Sequence, residues 1–130
     1  MKVNLMIDQR YFLDTYAMIE IIGGNENYQK YLYSGFVTSQ WNLAELYYHL
    51  ISTYGEDIAE NYYRVYQDFV IPISTTSLKL GMYFKLQYKK ERLSYVDCVG
   101  YMLAQELGIP FLTGDEKFAT KENVAYVKKL

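Results

Sequence analysis

The chain is predicted to be an α/β protein with a central, mostly parallel sheet of about five short strands and helices on both faces. Short apolar runs alternate with longer helical patterns along the whole sequence. This is the order that parallel strands joined by crossover helices require. Of its 130 residues, 51% are hydrophobic and 22% are charged, which is typical of a chain with a buried core. No linker, repeat or low-complexity segment divides the sequence, so residues 1–130 are predicted to form a single three-layer domain.

The first strand and helix are predicted on either side of Asp14. A strand over Tyr11–Leu13 leads through Asp14, as the N-cap, into a helix over Thr15–Ile22 that stops at two glycines. The earlier apolar run contains Met6-Ile7-Asp8, and Asp8 is therefore an alternative to Asp14 as the acid that follows the first strand.

The same local signals predict the remaining elements, because glycines end helices, Ser and Asn begin them, and β-branched runs favour strands. In chain order the predicted elements are a helix from Glu26 to about Tyr33 capped by Asn25, a strand over Phe36–Ser39, helices over Gln40–Tyr54 and Glu56–Asp68, a strand over Phe69–Ile73, a helix from Ser74 to about Glu91, a helix from Ser94 to Leu107, a strand over Ile109–Thr113, a helical turn over Glu116–Ala119 and a strand over Val124–Val127. Pro72 indicates that the Phe69–Ile73 strand lies at an edge of the sheet.

The bulk properties exclude several classes of protein. A net charge of −2 gives no basic footprint for nucleic acid, although a local basic segment would still permit binding. The single cysteine, Cys98, excludes an internal disulfide and a cysteine-rich zinc site. No apolar run is long enough to span a bilayer and no signal peptide is recognisable, so a soluble, cytoplasmic protein with no membrane association is predicted.

Three aspartates lie at places where a ligand could reach them. Asp14 and Asp115 each follow a predicted strand, and ligands of parallel α/β sheets bind outside the carboxyl ends of the strands. Asp97 lies in the first turn of its helix, at the rim of the apolar face. Each has an ordinary alternative: Asp14 and Asp115 suit caps and turns, and Asp97 completes the S-x-x-D capping pattern that begins at Ser94.

Glu45 lies in the apolar helix that contains Leu43, Leu46 and Leu50. The helical period allows Glu45 to be a surface acid, but a glutamate inside a sandwiched helix needs a partner. Its spacing to His49 also permits a two-residue metal pair, although a lone histidine on a helix is more often a hydrogen-bonding residue.

Four segments match a known pattern in order and spacing. They are Leu13-Asp14-Thr15 before an apolar helix, Thr38-Ser39 leading into Leu43-Ala44-Glu45-Leu46, Ser94-Tyr95-Val96-Asp97 with Ala104, and the closing T-x-D-x-x-F of Thr113-Gly114-Asp115-Glu116-Lys117-Phe118. In these segments the chain resembles the PIN domain ribonucleases of the toxin type, the VapC-like toxins of toxin–antitoxin pairs. The closing segment is the most specific of the four. Tyr16 departs from the pattern, because the family usually has a small or polar residue there, and is expected to crowd the pocket.

The resemblance implies a catalytic and metal-binding quartet of Asp14, Glu45, Asp97 and Asp115, supported by Thr15 and Thr113. Four carboxylates in one pocket repel each other, and a hard divalent cation, Mg²⁺ or Mn²⁺, is the natural counter-charge. The resemblance further implies endoribonuclease activity that leaves a 5′-phosphate and a 3′-hydroxyl, a homodimer, and a small antitoxin partner. Basic residues near the acids are candidate contacts to RNA phosphates or else part of a solvated charged face: Lys79, Lys85, Lys89, Lys90, Arg92, Lys117 and Lys121.

Two other functions stay open at this point. One is a PIN nuclease of RNA processing or decay that has no antitoxin. The other is a non-catalytic, Mg²⁺-binding α/β interaction module similar to a receiver domain. A receiver needs a phosphorylatable aspartate at the end of a central strand, where this sequence instead offers Ser39 and Ser74.

Overall fold

A four-stranded parallel sheet lies at the centre of the computed structural model, which describes residues 9–130. The strands are β1 (Arg10–Leu13), β2 (Gly35–Val37), β3 (Phe111–Thr113) and β4 (Val124–Tyr126), in the spatial order β2-β1-β3-β4. In the central pair, Phe12 is opposite Phe111 and Leu13 is opposite Leu112. The residues that follow β1 and β3 therefore lie next to each other at the carboxyl edge of the sheet.

The predicted strand over Phe69–Ile73 is wrong in length. Only Val70 pairs, in an isolated parallel bridge with Thr38 beyond β2. Thr38 N donates to Phe69 O and Ile71 N donates to Thr38 O, both at 2.9 Å. A 3₁₀ turn runs up to Phe69, and Pro72 has no amide with which to continue the ladder. The predicted edge position is correct, and the sheet has four strands and this bridge in place of about five strands.

Five α-helices cover the two faces of the sheet within the described residues. They are α1 (Thr15–Ile22), α2 (Gln40–Tyr54), α3 (Glu56–Tyr66), α4 (Thr75–Gln87) and α5 (Tyr95–Leu107), with 3₁₀ turns at Glu26–Tyr31, Gln67–Phe69, Lys89–Glu91 and Glu116–Phe118. The predicted bounds of α1 and α2 are confirmed. The helix predicted to reach Glu91 ends at Gln87, because Tyr88 leaves the helical region with φ −105° and ψ 34°. None of the helices in this part of the chain is long and apolar enough to cross a membrane.

The core has two layers because successive side chains of a strand point to opposite faces. Phe12 and Phe111 face α4 and α5, whereas Leu13 and Leu112 face α1, α2 and α3. The small residue Gly100 lets α5 lie close to the sheet, since a Cβ there would be 2.9 Å from Phe12 Cε1. The predicted three-layer architecture is thus confirmed, and it directs the first turn of α5 to the same sheet edge as Asp14.

Candidate active site

Asp14 lies at the centre of the carboxyl edge and is 1% exposed. Its Oδ1 accepts a hydrogen bond from Ala17 N at 2.7 Å, so it caps α1 as the sequence predicts. Its Oδ2 accepts from the hydroxyl of Thr113, which ends the neighbouring strand β3. Asp14 can therefore cap α1 and also belong to the candidate site, because the cap uses Oδ1 and the contact with Thr113 uses Oδ2.

The charge on Asp14 is poorly compensated by the protein. Burial raises the pKa of its carboxyl well above the ordinary value, and the charges of Asp97 and Asp115 raise it further, against the lowering effects of the hydrogen bonds from Thr113 and Ala17. The anion is consequently costly unless a cation is near.

Thr113 joins Asp14 to Asp115. Its hydroxyl donates to Asp14 and accepts a hydrogen bond from the backbone N of Asp115 at 3.0 Å. Asp115 is partly buried and its Oδ1 accepts from Lys117 N at 3.0 Å, which begins the following 3₁₀ turn. The T-x-D segment is thus a turn that holds two acids from different segments at one edge.

Asp97 stands in the first turn of α5, where its backbone N donates to Ser94 Oγ at 3.0 Å. Burial raises the pKa of the Asp97 carboxyl to about 6; the hydrogen bond with Ser94 lowers it, and the charges of Glu45 and Asp115 raise it. Capping of α5 by Ser94 is confirmed. The acids that act on Asp97 come from α2 (Glu45) and from the turn after β3 (Asp115). A capping aspartate on a solvated helix end would not have such neighbours.

Glu45 is partly buried on α2 and is bound by Thr15. Thr15 Oγ1 donates to Glu45 Oε1 at 2.7 Å. The sequence predictions missed the residues behind this pair: Asn42 is fully buried, and its Nδ2 donates to Thr15 Oγ1 at 3.1 Å. Ser39 caps α2 and donates to Asn42 Oδ1 at 2.6 Å. A polar Asn at a core-facing position of an apolar helix is the signal that could have found it.

The candidate metal ligands of this site are carboxylate oxygens. Within residues 9–130 the one ion pair joins Lys121 and Glu91, so none of the four acids has a basic partner there. In the side-chain positions seen across the same range, no three His, Cys, Asp or Glu residues gather closely enough to hold a metal ion. The uncompensated carboxylates nevertheless fit a hard divalent cation in charge and donor type.

Tyr16 forms one wall of this edge and packs directly on Gly114. A Cβ at Gly114 would lie 2.4 Å from Tyr16 Cε1 and 2.9 Å from Tyr28 Oη. Only glycine therefore fits between Thr113 and Asp115 while the tyrosine ring is in this position. Tyr16 was expected to crowd the pocket, and its ring crowds the position of Gly114.

The basic residues differ in their availability. Lys85 Nζ donates to Leu93 O at 2.5 Å and lies 4.5 Å from the centre of the Tyr95 ring, so it is engaged within the protein. Lys117 is exposed, and its charge lowers the pKa of Asp97, which places it by the acids. Lys89, Lys90 and Arg92 are also exposed. Asp8, the alternative first acid, lies outside the described residues.

The protein thus belongs to the general class of parallel α/β proteins with a candidate ligand site at the carboxyl edge of the sheet, here lined by acidic side chains from separate elements. Comparison with protein families then gives the particular one: the PIN domain family matches residues 11–123. The chain belongs to the PIN domain family. No curated protein matches it significantly.

Solved structures with the same fold include three toxin–antitoxin proteins. A toxin–antitoxin complex from Klebsiella pneumoniae gives a TM-score of 0.74 at 17% identity, over 92% of this chain and 99% of that chain. VapC20 of Mycobacterium tuberculosis, described as a Sarcin-Ricin loop cleaving toxin, gives 0.72 at 16%, over 90% and 98%. VapBC2 of Rickettsia felis, bound to a DNA fragment from its promoter, gives 0.71 at 14%, over 94% and 100%.

Proposed function

We propose that this protein is a metal-dependent endoribonuclease and the toxin of a toxin–antitoxin pair. The observation that carries the proposal is a pair of carboxyls whose pKa values are raised by burial and, further, by the charges of acids from other elements: to about 6 for Asp97 and well above the ordinary value for Asp14. Perturbed carboxyls at one edge of a fold are typical of functional sites. Membership of the PIN domain family and the likeness to VapC20 support hydrolysis of RNA as the reaction.

The proposed ligands of Mg²⁺ or Mn²⁺ are the carboxylates of Asp14, Glu45, Asp97 and Asp115. When bound, such a cation lowers the pKa of a water and offsets the charge that develops on the phosphate. Hydrolysis would form a bond from the water oxygen to phosphorus and break the phosphorus–O3′ bond. The proton that the water loses would be balanced by one taken up at the leaving O3′, so the products would carry a 5′-phosphate and a 3′-hydroxyl.

The protein's own residues hold these carboxylates in place. The Thr113 hydroxyl fixes Asp14, and the Thr15 hydroxyl fixes one oxygen of Glu45. Ligating carboxylates are commonly held by such hydrogen bonds. Lys117 is the best placed contact for a flanking phosphate, because it is exposed and acts on Asp97. We assign weaker phosphate contacts to Lys89, Lys90 and Arg92, and the weakest to Lys85, which is already bound to Leu93.

The proposed partners are RNA, a second copy of the chain and a small antitoxin. The likeness to a toxin–antitoxin complex and to VapBC2 supports the antitoxin. A basic side chain from the antitoxin would neutralise the acidic pocket in place of the metal ion. We propose the cytoplasm as the location of the pair, because it would act on cellular RNA.

Cleavage of RNA in the presence of Mg²⁺ or Mn²⁺ tests the proposal, with the wild type compared with Asp97→Asn and Asp115→Asn. The matched control is Asp57→Asn, which removes an exposed acid from the first turn of α3 and leaves the pocket unchanged. Both pocket variants are expected to lose nearly all activity, and the control is expected to keep it. Equal activity in all four proteins would refute the assignment.

A second measurement separates the alternatives that share this fold. Coexpression with the product of a small neighbouring reading frame should abolish cleavage if the protein is a toxin. Cleavage that no such partner inhibits would favour a PIN nuclease of RNA processing. Metal binding without any cleavage would favour the non-catalytic module.

A further inference from the structure

Asn42 is fully buried in the first turn of α2 and reaches the acidic pocket, although it is not one of the four acids. We propose that Asn42 is a positioning residue, which turns the Thr15 hydroxyl toward Glu45 and thereby holds the Glu45 carboxylate ready for a divalent cation. This inference rests on the proposed metal-dependent function and adds a residue on which the pocket depends.

The evidence is a continuous chain of hydrogen bonds. Ser39 Oγ donates to Asn42 Oδ1 at 2.6 Å, Asn42 Nδ2 donates to Thr15 Oγ1 at 3.1 Å, and Thr15 Oγ1 donates to Glu45 Oε1 at 2.7 Å. The backbone N of Asn42 donates to Ser39 Oγ at 3.2 Å, which is the cap of α2. The chain thus starts at the beginning of α2 and ends on an acid of the pocket.

The direction of these bonds follows from donor chemistry. Ser39 Oγ accepts from a backbone N–H, so its own proton is free to be donated to the carbonyl oxygen of Asn42. The amide group of Asn42 must then face Thr15 as a donor. The Thr15 hydroxyl has one proton to donate, and the charged oxygen of Glu45 is a stronger acceptor than the backbone carbonyl oxygen of Asn42, which lies 3.5 Å from Thr15 Oγ1.

The consequence concerns the readiness of Glu45. A free glutamate side chain loses considerable rotamer freedom when it binds an ion. Here Thr15 already holds Oε1 of Glu45, and Oε2 is left to bind the cation. Because Asn42 is buried and Thr15 and Glu45 are only partly buried, the orienting group is shielded from competition by water.

The test is the affinity for Mn²⁺ alone, measured by electron paramagnetic resonance on protein without RNA, for the wild type, Thr15→Val, Asn42→Ala and the double variant. Each single substitution is expected to weaken Mn²⁺ binding about tenfold, as is usual for residues behind the ligands. The double variant should bind no more weakly than Thr15→Val, since Asn42 acts through the Thr15 hydroxyl.

Asn25→Ala is the matched control. Asn25 is also a buried, capping asparagine, and its Nδ2 donates to Glu20 Oε1 at 3.1 Å, outside the chain of bonds to Glu45. It should lower the melting temperature without changing the affinity for Mn²⁺. Asn42→Ala keeps the backbone N–H that donates to Ser39, so α2 retains its cap, and circular dichroism verifies that the variant is folded.

Two results would overturn the positioning role. One is an Mn²⁺ affinity in Asn42→Ala equal to that of the wild type. The other is a loss of Mn²⁺ affinity on Asn42→Ala substitution that is as large in the Thr15→Val background as in the wild type. Cleavage assays on the same proteins separate this failure from failure of the proposed function. A wild type that binds Mn²⁺ and cuts RNA alongside an unaffected Asn42→Ala refutes only the positioning role, whereas a wild type that does not bind Mn²⁺ refutes both.

Discussion

Removal of the Asp97 charge should change how the stability of the protein depends on pH. Burial raises the pKa of this carboxyl from 3.8 to about 6 in the folded protein. Between these pH values the folded state keeps a proton that the unfolded state has released, so raising the pH favours unfolding. The stability that Asp97 contributes is fully present below pH 3.8 and is lost as the pH rises to about 6.

The size of this loss follows from the difference between the two pKa values. It corresponds to about 3 kcal/mol of unfolding free energy. Because Asp97 is partly exposed, this is an upper limit. Asp97→Asn should therefore match the wild type near pH 4 and be more stable by up to about 3 kcal/mol at pH 7. Asp14, whose raised pKa acts in the same direction, is present in both proteins.

Urea denaturation, followed by circular dichroism from pH 4 to pH 7 without divalent cations, measures the effect. Asp57→Asn, the exposed control, should keep the wild-type pH dependence. Saturating Mn²⁺ should abolish the advantage of Asp97→Asn at pH 7, because binding to the wild type offsets the cost of the charge. Parallel stability curves for the wild type and Asp97→Asn in the absence of metal would refute the reasoning.

Three substitutions test the packing around the site. Gly114→Ala should cost about 1–3 kcal/mol, because the new Cβ would lie 2.4 Å from Tyr16 Cε1; most of this cost should vanish in thermal melts when Tyr16→Ala is also present. Tyr28→Phe should stabilise the protein by about 1 kcal/mol in urea, because within residues 9–130 the buried Tyr28 hydroxyl has no hydrogen-bond partner. A lower stability would contradict this. Gly81→Ala would ordinarily strengthen a helix by about 1 kcal/mol, but here it should lower the melting temperature, since its Cβ would lie 2.8 Å from Val99 Cγ2 and 3.0 Å from Val99 Cα. An unchanged or higher melting temperature would show that α4 and α5 can separate at little cost.

The sequence alone was enough for the elements that are built by local interactions. Ser94 and Asp14 cap their helices with side chains only three residues from the amide that they bind, and Gly108 ends α5 in the left-handed region at φ 68°. Such signals act within one turn, so they can be read without knowledge of the rest of the fold.

The sequence was less informative where distant segments compete. Phe69–Ile73 has the composition of a strand, but the neighbouring 3₁₀ turn and Pro72 reduce its pairing to the single bridge between Thr38 and Val70. Whether a short apolar run becomes a strand depends on the edge that is available to it, which is a property of the whole sheet. The positions of Asp14, Asp97 and Asp115 in the predicted elements made them candidates, although each also had an ordinary local role as a cap or turn residue. Glu45 joined them only through the family resemblance.

The tertiary structure alone decided how the acids are connected. The Thr113 hydroxyl binds Asp14 across 99 residues of sequence, and Thr15 binds Glu45 across 30. These contacts exist because β1 and β3 are neighbours in the order β2-β1-β3-β4 and because α2 starts at the same edge. The sequence therefore determined that Asp14 and Asp115 follow strands and that Asp97 lies in the first turn of a helix. The order of the strands determined that Asp14 and Asp115 lie at one edge of the sheet, where burial and the charges of neighbouring acids raise the pKa of Asp14.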